Sequence, residues 1–196
     1  MNKNFIRSAQ NLIDIEQKTI ANLKNQLDVN FEDACQSILD ISGKVIIIGL
    51  GKSGHIGNKI AATLASTGTS AFFINAAEAN HGDLGMIDKN DIVIAISYSG
   101  RTDELLNLVP RLKHIGVKMI AITGNQKSPL ALKSDILLHI PVAKEACPHN
   151  LAPTSSTTAT LVLGDALAIA LLEAKNFSAE DFAKSHPAGQ LGRQLN

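Results

Sequence analysis

Hydrophobic positions alternate along the chain between two periods, one typical of buried strands and one of helices. Continuous apolar runs predict strands that are covered on both faces. Apolar residues that recur every three or four positions predict amphipathic helices between them. The predicted strands are Lys44–Gly49 (KVIIIG), Ala71–Asn75, Asp91–Ser97, Lys118–Thr123 and Ile136–Pro141. The predicted helices are Phe5–Leu27, Phe31–Leu39 with Asn30 as its cap, Ser53–Ser66, Thr102–Ile115, Thr154–Lys175 and Ala179–Lys184.

This order of elements predicts an α/β fold. Strands that alternate with helices form a parallel sheet with helices on both faces, which is a three-layer sandwich. We expect a five-stranded sheet in one domain over residues 1–196, with N-terminal helices in 1–41, an α/β core in 42–142 and C-terminal helices in 143–196. Pro110 is expected to kink the helix that contains it, because proline cannot donate the helical hydrogen bond.

The composition excludes several classes of protein. Hydrophobic residues make up 45% and charged residues 18% of the chain, which excludes a disordered protein. Lys plus Arg and Asp plus Glu are balanced at 18 each, so the net charge favours neither nucleic acid nor a membrane as partner. Cys35 and Cys147 are too few for a disulfide framework and lack metal-ligand spacing, which fits a reducing cytoplasm.

The apolar segments do not indicate export or membrane insertion. Met1–Gln10 contains no apolar core of a secretory signal. The longest apolar stretch, Ala159–Ala174, is short for a membrane span and contains Gly164 and Asp165. We therefore expect a cytoplasmic protein in which this stretch is a buried helix. Because few of its faces suit water, part of the helix is expected to contact another subunit.

The loop after the first predicted strand, Gly49–Gly54 (GLGKSG), matches the dinucleotide fingerprint G-x-G-x-x-G. Asn75 ends the second strand where a dinucleotide site needs a carboxylate, and Lys52 suits a single anion better than a pyrophosphate. A P-loop would need glycine at the position of Ile46, so that interpretation fails. The loop therefore predicts a phosphate site, with Lys52 and Ser53 as candidate ligands.

The loop after the third strand, Ser97–Thr102 (SYSGRT), places three hydroxyl groups around a glycine. Exposed amides at the start of a helix favour an anion, and Ser97, Ser99 and Thr102 can all donate to phosphate oxygens. The alternative is that Thr102 simply caps the helix while the serines form a turn. Glu104 lies in the first helical turn, where it is either a catalytic group or a carboxylate that the helix dipole favours.

Four segments of the chain have distinctive motifs: Gly49–Gly57 (GLGKSGHIG), Ala79–Met86 (ANHGDLGM), Glu145–Ala166 (EACPHNLAPTSSTTATLVLGDA) and Ser185–Arg193 (SHPAGQLGR). They resemble the SIS (sugar isomerase) domain and, more narrowly, the arabinose-5-phosphate isomerase family of Kdo biosynthesis. The resemblance covers about Leu12–Leu195. It implies a sugar monophosphate in the cleft, no redox cofactor and a homotetramer that interconverts D-ribulose 5-phosphate and D-arabinose 5-phosphate for lipopolysaccharide synthesis.

The resemblance also implies roles for particular residues. Residues implicated in catalysis match Lys52, Glu104, Glu145 and His186. The substrate-binding region includes His81, which matches a substrate-contacting histidine, together with Gly68, Thr69 and Asn75. Many relatives carry a histidine implicated in zinc binding at the position of Asn75, so we expect no metal site here. Late segments of the family reach a neighbouring subunit, and His186 is therefore expected to complete an active site shared between subunits.

Aldose–ketose isomerisation moves a proton between C1 and C2 through an enediol-type intermediate, so it needs a reprotonatable base and a donor for the carbonyl oxygen. A carboxylate whose pKa is raised by partial burial suits the base. Glu145 opens the loop after the fifth strand and is a candidate, unless it is a solvated loop residue. His186 is the candidate acid for ring opening. The residue types do not assign base and acid uniquely among Glu104, Glu145 and His186.

Other functions remain open at this point. A second SIS isomerase, acting on a hexulose or heptose phosphate, would share the phosphate loops. A sugar-phosphate-binding module without turnover normally brings a DNA-reading domain, and no basic helix-turn-helix precedes the sheet. A nucleotide-binding domain is disfavoured by Asn75 and Lys52. The long form of the resembling family adds two CBS modules, so a chain that ends at Asn196 is expected to be either a natural short form or an excised catalytic domain, without regulation through those modules.

Overall fold

A computed structural model describes residues 4–185, so His186 and nearly all of the predicted Ser185–Arg193 segment lie outside the described residues. Five parallel strands form one sheet in the order β2-β1-β3-β4-β5, as expected for an α/β fold. Each interior strand is almost fully buried because helices cover both faces. The strands are β1 Val45–Gly49, β2 Ala71–Asn75, β3 Ile92–Ile96, β4 Lys118–Thr123 and β5 Ile136–His139.

Helices cover the two faces of the sheet in separate groups. The described helices are α1 Phe5–Leu23, α2 Val29–Asp40, α3 Gly51–Ser66, α4 Ala76–Ala79, α5 Asp103–Leu106, α6 Val109–Ile115, α7 Pro129–Lys133, α8 Ser155–Ala174 and α9 Ala179–Ser185, with 3₁₀ turns at Lys24–Gln26 and Asp83–Met86. Ile47 and Ile94 pack against α2, α3 and α8, whereas Ile46 and Val93 pack against α4 to α7. The two-residue period of the strands thus builds two cores, one on each face.

Several predicted boundaries are wrong for identifiable reasons. The first helix ends at Leu23 and a 3₁₀ turn follows. Asp28, and not Asn30, caps α2, because its carboxylate accepts a hydrogen bond from the Asn30 amide at 2.9 Å. The helix predicted over Thr102–Ile115 is divided into α5 and α6, and Pro110 lies in the first turn of α6, where a missing N–H is tolerated. Pro110 therefore starts a helix and does not kink one.

Helix α8 is the central helix of one face. Gly164 lies so close to Ile60 of α3 that a Cβ at this position would overlap the isoleucine side chain. Lys59 forms an ion pair with Asp165 beside this contact, and Thr158 Oγ1 donates to Glu16 of α1 at 3.0 Å. By length and apolarity α8 could also cross a membrane, but half of its residues are buried inside the domain, which fits the expected core helix.

A buried carboxylate joins the starts of β1 and β3. Asp91 accepts hydrogen bonds from the amides of Lys44 at 2.9 Å and Asp88 at 2.8 Å, and both its oxygens lie 3.1 Å from Lys44 Nζ. Burial raises the pKa of Asp91, but these hydrogen bonds and the lysine charge outweigh burial, so that its pKa lies below the ordinary value. This contact fixes the edge of the sheet opposite the phosphate loops.

Candidate active site

The two candidate phosphate loops lie side by side at the carboxyl edge of the sheet. The strand order places β1 next to β3, and Gly49 at the end of β1 is paired with Ile96 at the end of β3. The order in which strands are added to the sheet reverses between β1 and β3. From β1 the chain continues to β2 on one side, and from β3 it continues to β4 on the other side. Ligands of open α/β sheets bind at such a position. The loops therefore form one candidate site.

The first loop brings the start of α3 close to the end of β1. Helix α3 begins at Gly51, and the amide of Gly54 donates to the Leu50 carbonyl at 3.2 Å. Lys52 is exposed on the first turn, while Ser53 is partly buried. A flexible ammonium group and a hydroxyl group thus lie beside the neighbouring loop, as a site for a small anion requires.

The second loop gathers its three hydroxyl groups. Ser97 Oγ lies 2.9 Å from Thr102 Oγ1 and 3.5 Å from Ser99 Oγ, and it also accepts a hydrogen bond from the Gly100 amide at 3.1 Å. Thr102 occupies the cap position of α5, yet its side chain makes no capping hydrogen bond. The hydroxyl of Thr102 therefore belongs to the loop, in contrast to the simple capping role considered above.

Close packing from β4 and α7 fixes the shape of this loop. The Leu130 amide donates to the Gly100 carbonyl at 3.2 Å, and Thr123 Oγ1 donates to the Tyr98 carbonyl at 3.0 Å. Gly100 has a φ of +63°, and a Cβ there would overlap Ser128 Oγ. The loop thus needs glycine both for its backbone conformation and for its packing.

Glu145 anchors the segment between β5 and α8. Its carboxylate accepts hydrogen bonds from the Thr154 amide at 2.8 Å, Thr154 Oγ1 at 3.2 Å and the Ser156 amide at 3.2 Å. The Glu145 amide donates to Asn150 Oδ1 at 2.7 Å, and the Ala146 amide donates to Thr154 Oγ1 at 2.9 Å. Glu145 therefore caps the first turn of α8 from nine residues upstream. The sequence analysis did not identify Thr154, Ser156 or Asn150, although all three lie in the segment that carries the resemblance.

The electrostatics of Glu145 differ from the expectation. Burial raises the pKa of this carboxyl group, but hydrogen bonds from Ser156 and Thr154 outweigh burial and hold the pKa below its ordinary value. The expectation of a raised pKa is therefore wrong. Glu145 also lies close enough to Tyr98 to raise the pKa of that phenol, after the larger effect of burial. The Glu145 carboxylate thus lies near the loop Ser97–Thr102, which we call the hydroxyl loop.

The other predicted residues around this edge belong to α4 and α5. Asn75 caps α4 through a hydrogen bond from the Ala77 amide to Oδ1 at 2.9 Å. Asn80 Nδ2 donates to the carbonyls of Ala76 at 2.9 Å and Glu104 at 3.2 Å, so it joins α4 to α5. The side chains of His81 and Glu104 are exposed. Within residues 4–185, no three His, Cys, Asp or Glu side chains are grouped as metal ligands would be.

Gly68 and Thr69 lie far from the other predicted residues of the same chain. They precede β2 and therefore lie at its amino edge, whereas Asn75 ends it at the carboxyl edge; a five-residue strand separates the two by roughly 16 Å. Lys175 Nζ donates to the Gly68 carbonyl at 3.0 Å and to Thr69 Oγ1 at 2.8 Å. A ligand on the carboxyl edge of this chain cannot reach these two residues.

The fold is a doubly wound α/β domain, and its two loops form a candidate anion site at the switch point. The family model of the SIS domain matches residues 38–170, which include all five strands and both loops. The chain therefore belongs to the SIS domain family.

Curated relatives match nearly the whole chain. It is 56% identical over 194 residues to the arabinose 5-phosphate isomerase KdsD of Pseudomonas aeruginosa, covering 99% of this chain and 60% of that protein. It is 60% identical over 193 residues to KdsD of Francisella tularensis, covering 97% of this chain and 59% of that protein. The chain thus spans about 60% of the length of the curated relatives that it matches.

Solved structures share the whole architecture. The protein c3406 of Escherichia coli CFT073, in complex with arabinose 5-phosphate, superposes with a TM-score of 0.92 at 43% identity, covering 95% of this chain and 100% of that one. A putative sugar-phosphate isomerase of Listeria monocytogenes gives a TM-score of 0.92 at 32% identity, covering 96% and 100%.

Proposed function

We propose that this chain interconverts D-arabinose 5-phosphate and D-ribulose 5-phosphate. The observation that carries the proposal is the cluster of Ser97, Ser99 and Thr102 hydroxyls, which lies next to the loop that contains Lys52, at the position where open α/β sheets bind ligands. The similarity to c3406, whose structure contains arabinose 5-phosphate and whose length this chain covers completely, supports the pentose phosphate as substrate. The reaction takes place within one molecule and needs neither a cofactor nor a metal.

The phosphate group binds to the hydroxyl loop, with Ser53 and Lys52 on its other side. Hydroxyl and ammonium donors suit a dianion because charge-assisted hydrogen bonds are the strong ones. The sugar then extends towards the groups that carry out the chemistry. His81 and Asn75 contact the sugar, and His186, which lies outside the described residues, opens its cyclic form. Lys52 is also placed to polarise the carbonyl oxygen during proton transfer.

The active form is a homotetramer with shared sites. Apolar side chains of α1 and α8 are exposed, including Ile13 at 61% and Ile169 at 47%, which a subunit contact would cover. Gly68 and Thr69 lie at the opposite edge of the sheet, so they contact substrate only in the site of another subunit. His186 reaches a neighbouring site in the same way.

We propose a cellular role that the name of the curated relatives supports. Several relatives are named arabinose 5-phosphate isomerase KdsD, and we propose that this chain supplies arabinose 5-phosphate for Kdo and lipopolysaccharide synthesis in the cytoplasm. The balanced charge and the buried half of α8 favour neither nucleic acid nor a membrane as partner.

A coupled assay with the chain as it stands tests this function. Arabinose 5-phosphate should be converted to the ketose with a kcat/KM at least tenfold higher than those for hexulose and heptose phosphates. If a hexulose phosphate is the better substrate, the chain is a different SIS isomerase. Tight binding of a sugar phosphate without turnover would instead support a regulatory module.

A further inference from the structure

Two of the predicted catalytic carboxylates, Glu104 and Glu145, follow the carboxyl ends of β3 and β5, and their surroundings differ. Glu145 is 9% exposed and its carboxylate is fixed by the Thr154 and Ser156 amides and the Thr154 hydroxyl. Glu104 is exposed on the first turn of α5, and within the described part of the chain its carboxylate has neither a hydrogen bond nor an ion pair. Only its backbone is fixed, through the hydrogen bond from Asn80.

We propose that Glu145 is a positioning residue that remains ionised throughout the reaction, and that Glu104 is the base that moves the proton between C2 and C1. The proposal rests on the proposed isomerase function and assigns roles within the same site. It assigns different roles to Glu104 and Glu145, which the sequence alone does not distinguish.

The hydrogen bonds of Glu145 explain its part. The first amides of a helix have no partner inside the helix, and here a carboxylate satisfies two of them at the start of the 20-residue α8. A proton on that carboxylate would remove an acceptor from these amides and would oppose the helix dipole. Efficient bases have a pKa near the working pH, whereas the pKa of Glu145 is moved in the opposite direction. The carboxylate instead holds residues 145–154 against α8.

The Glu104 side chain differs from that of Glu145 in its position and in its freedom to move. It follows Thr102 by two residues, so it leaves the sheet beside the hydroxyl loop that binds the phosphate. Its side chain can approach the sugar and withdraw, because no described contact holds it. In the forward step the Glu104 carboxylate takes the proton from C2. The electrons of the C2–H bond form the C1–C2 double bond, the C1=O π electrons move onto the C1 oxygen, and that oxygen takes a proton from the Lys52 ammonium group. Glu104 then returns its proton to C1 while the C2 hydroxyl becomes the carbonyl and gives its proton back to Lys52.

Exchange of the C2 hydrogen of arabinose 5-phosphate in heavy water separates the two roles. In Glu145→Gln the amide oxygen still accepts the Thr154 and Ser156 amides, so exchange should fall no more than about tenfold, and the acid limb of the kcat–pH profile should keep its midpoint. Glu104→Gln should lose exchange by about 10²–10⁴-fold while still binding substrate. Thr154→Val removes one hydrogen-bond donor to Glu145. The loss of turnover in the double variant with Glu145→Gln, expressed as a fold-change, should be smaller than the product of the losses in the two single variants. Thr154→Ser is the matched control that keeps the hydroxyl.

The opposite result overturns the proposal. If Glu145→Gln abolishes exchange while Glu104→Gln retains it, Glu145 is the base. Thermal unfolding without substrate tests whether the Glu145 side chain caps α8. Glu145→Ala should lower Tm more than Glu145→Gln, and an equal Tm for both variants would refute the capping role. A wild-type chain inert towards both pentose phosphates would refute the isomerase function and the base assignment, and the Tm comparison would still test the anchor.

Discussion

The hydroxyls of Ser97 and Thr102 face each other across the loop after β3, 2.9 Å apart, although four residues separate them in the chain. Their proximity depends on the turn at Gly100, whose amide donates to Ser97 Oγ. Because each hydroxyl can rotate, the pair can give up its mutual hydrogen bond and donate to a phosphate without any movement of the backbone. The proposed phosphate site would thus be formed before the ligand arrives.

Ser99→Ala and Thr102→Ala should weaken substrate binding more than they slow bound substrate. Each removes a phosphate hydrogen bond that exists in both the ground and the transition state, so KM should rise with little change in kcat. The loss should correspond to about 1–3 kcal/mol for each charge-assisted bond. Steady-state kinetics measure both constants, and Thr102→Ser serves as the control that keeps the hydroxyl. A large fall in kcat at unchanged KM would contradict a phosphate-binding role.

Gly100→Ala should distort the hydroxyl loop and raise KM by at least tenfold. Its φ of +63° and its contact with Ser128 leave no room for a methyl group. Gly116→Ala is the matched control, because its φ is +86° but nothing lies within 4 Å of the added Cβ. Both variants carry backbone strain of about 1–2 kcal/mol, and Gly100→Ala adds the clash with Ser128, so its Tm should fall further. A raised KM in folded Gly100→Ala, with an unchanged KM in Gly116→Ala, would isolate the effect on the loop. Equal KM values would show that the loop tolerates the methyl group.

Inactive Lys52→Ala and His186→Ala chains should recover activity when their subunits are exchanged. If each active site combines Lys52 of one chain with His186 of another, some mixed sites contain both intact residues. Activity after mixing and reannealing, together with mass measurement of the mixed oligomer, tests this expectation. No recovery after verified subunit exchange would mean that every site is formed by one chain.

Turnover should not depend on a metal ion. Asn75 is engaged in capping α4, and an amide is a poor ligand for zinc compared with imidazole. Dialysis against a chelator should leave kcat/KM within about twofold, since no proposed step uses a Lewis acid. A loss of activity that a divalent ion restores would contradict this prediction.

Asp91→Asn should destabilise the chain at neutral pH by about 1–2 kcal/mol, because the buried carboxylate loses its charge while its partner Lys44, whose side chain is 34% exposed, is still partly solvated. The depressed pKa of Asp91 means that its stabilisation is complete above the ordinary value of 3.8 and is lost as the pH falls through the folded pKa. The free energy of unfolding should therefore differ less between the wild-type chain and Asp91→Asn at pH 3 than at pH 7. Asp88→Asn, on an exposed neighbouring carboxylate, is the control. An effect that does not change with pH would exclude an electrostatic cause.

The strands and the family could be predicted from the sequence because their signals are local. The run from Val45 to Gly49 is apolar throughout, which marks a strand covered on both faces, and the predicted bounds of β2 and β4 agree with the structure. The two candidate phosphate loops were predictable for the same reason, since glycine and hydroxyl residues follow the strands directly. That the two loops lie side by side depends on the strand order of the fold, and no pair of residues in the sequence indicates it.

The features that could not be predicted depend on contacts between distant residues. The role of Glu145 is set by Thr154 and Ser156, and a loop glutamate looks the same in the sequence whether it is free or caps a helix. Helix α7 is five residues long and gives too short a period to detect. The distance of Gly68 and Thr69 from the hydroxyl loop follows from the direction of β2, which motif matching ignores.

The position of α8 has a consequence for how the chain folds during its synthesis. Strand β1 leaves the ribosome early, but Gly164, which packs on Ile60, is translated more than a hundred residues later, and at typical rates this takes on the order of ten seconds. During that interval α2 and α3 cover only part of this face of the sheet, and the apolar residues that α8 buries stay exposed. Nascent chains of this protein should therefore depend on chaperones, and they should depend on them less once translation has passed the end of α8.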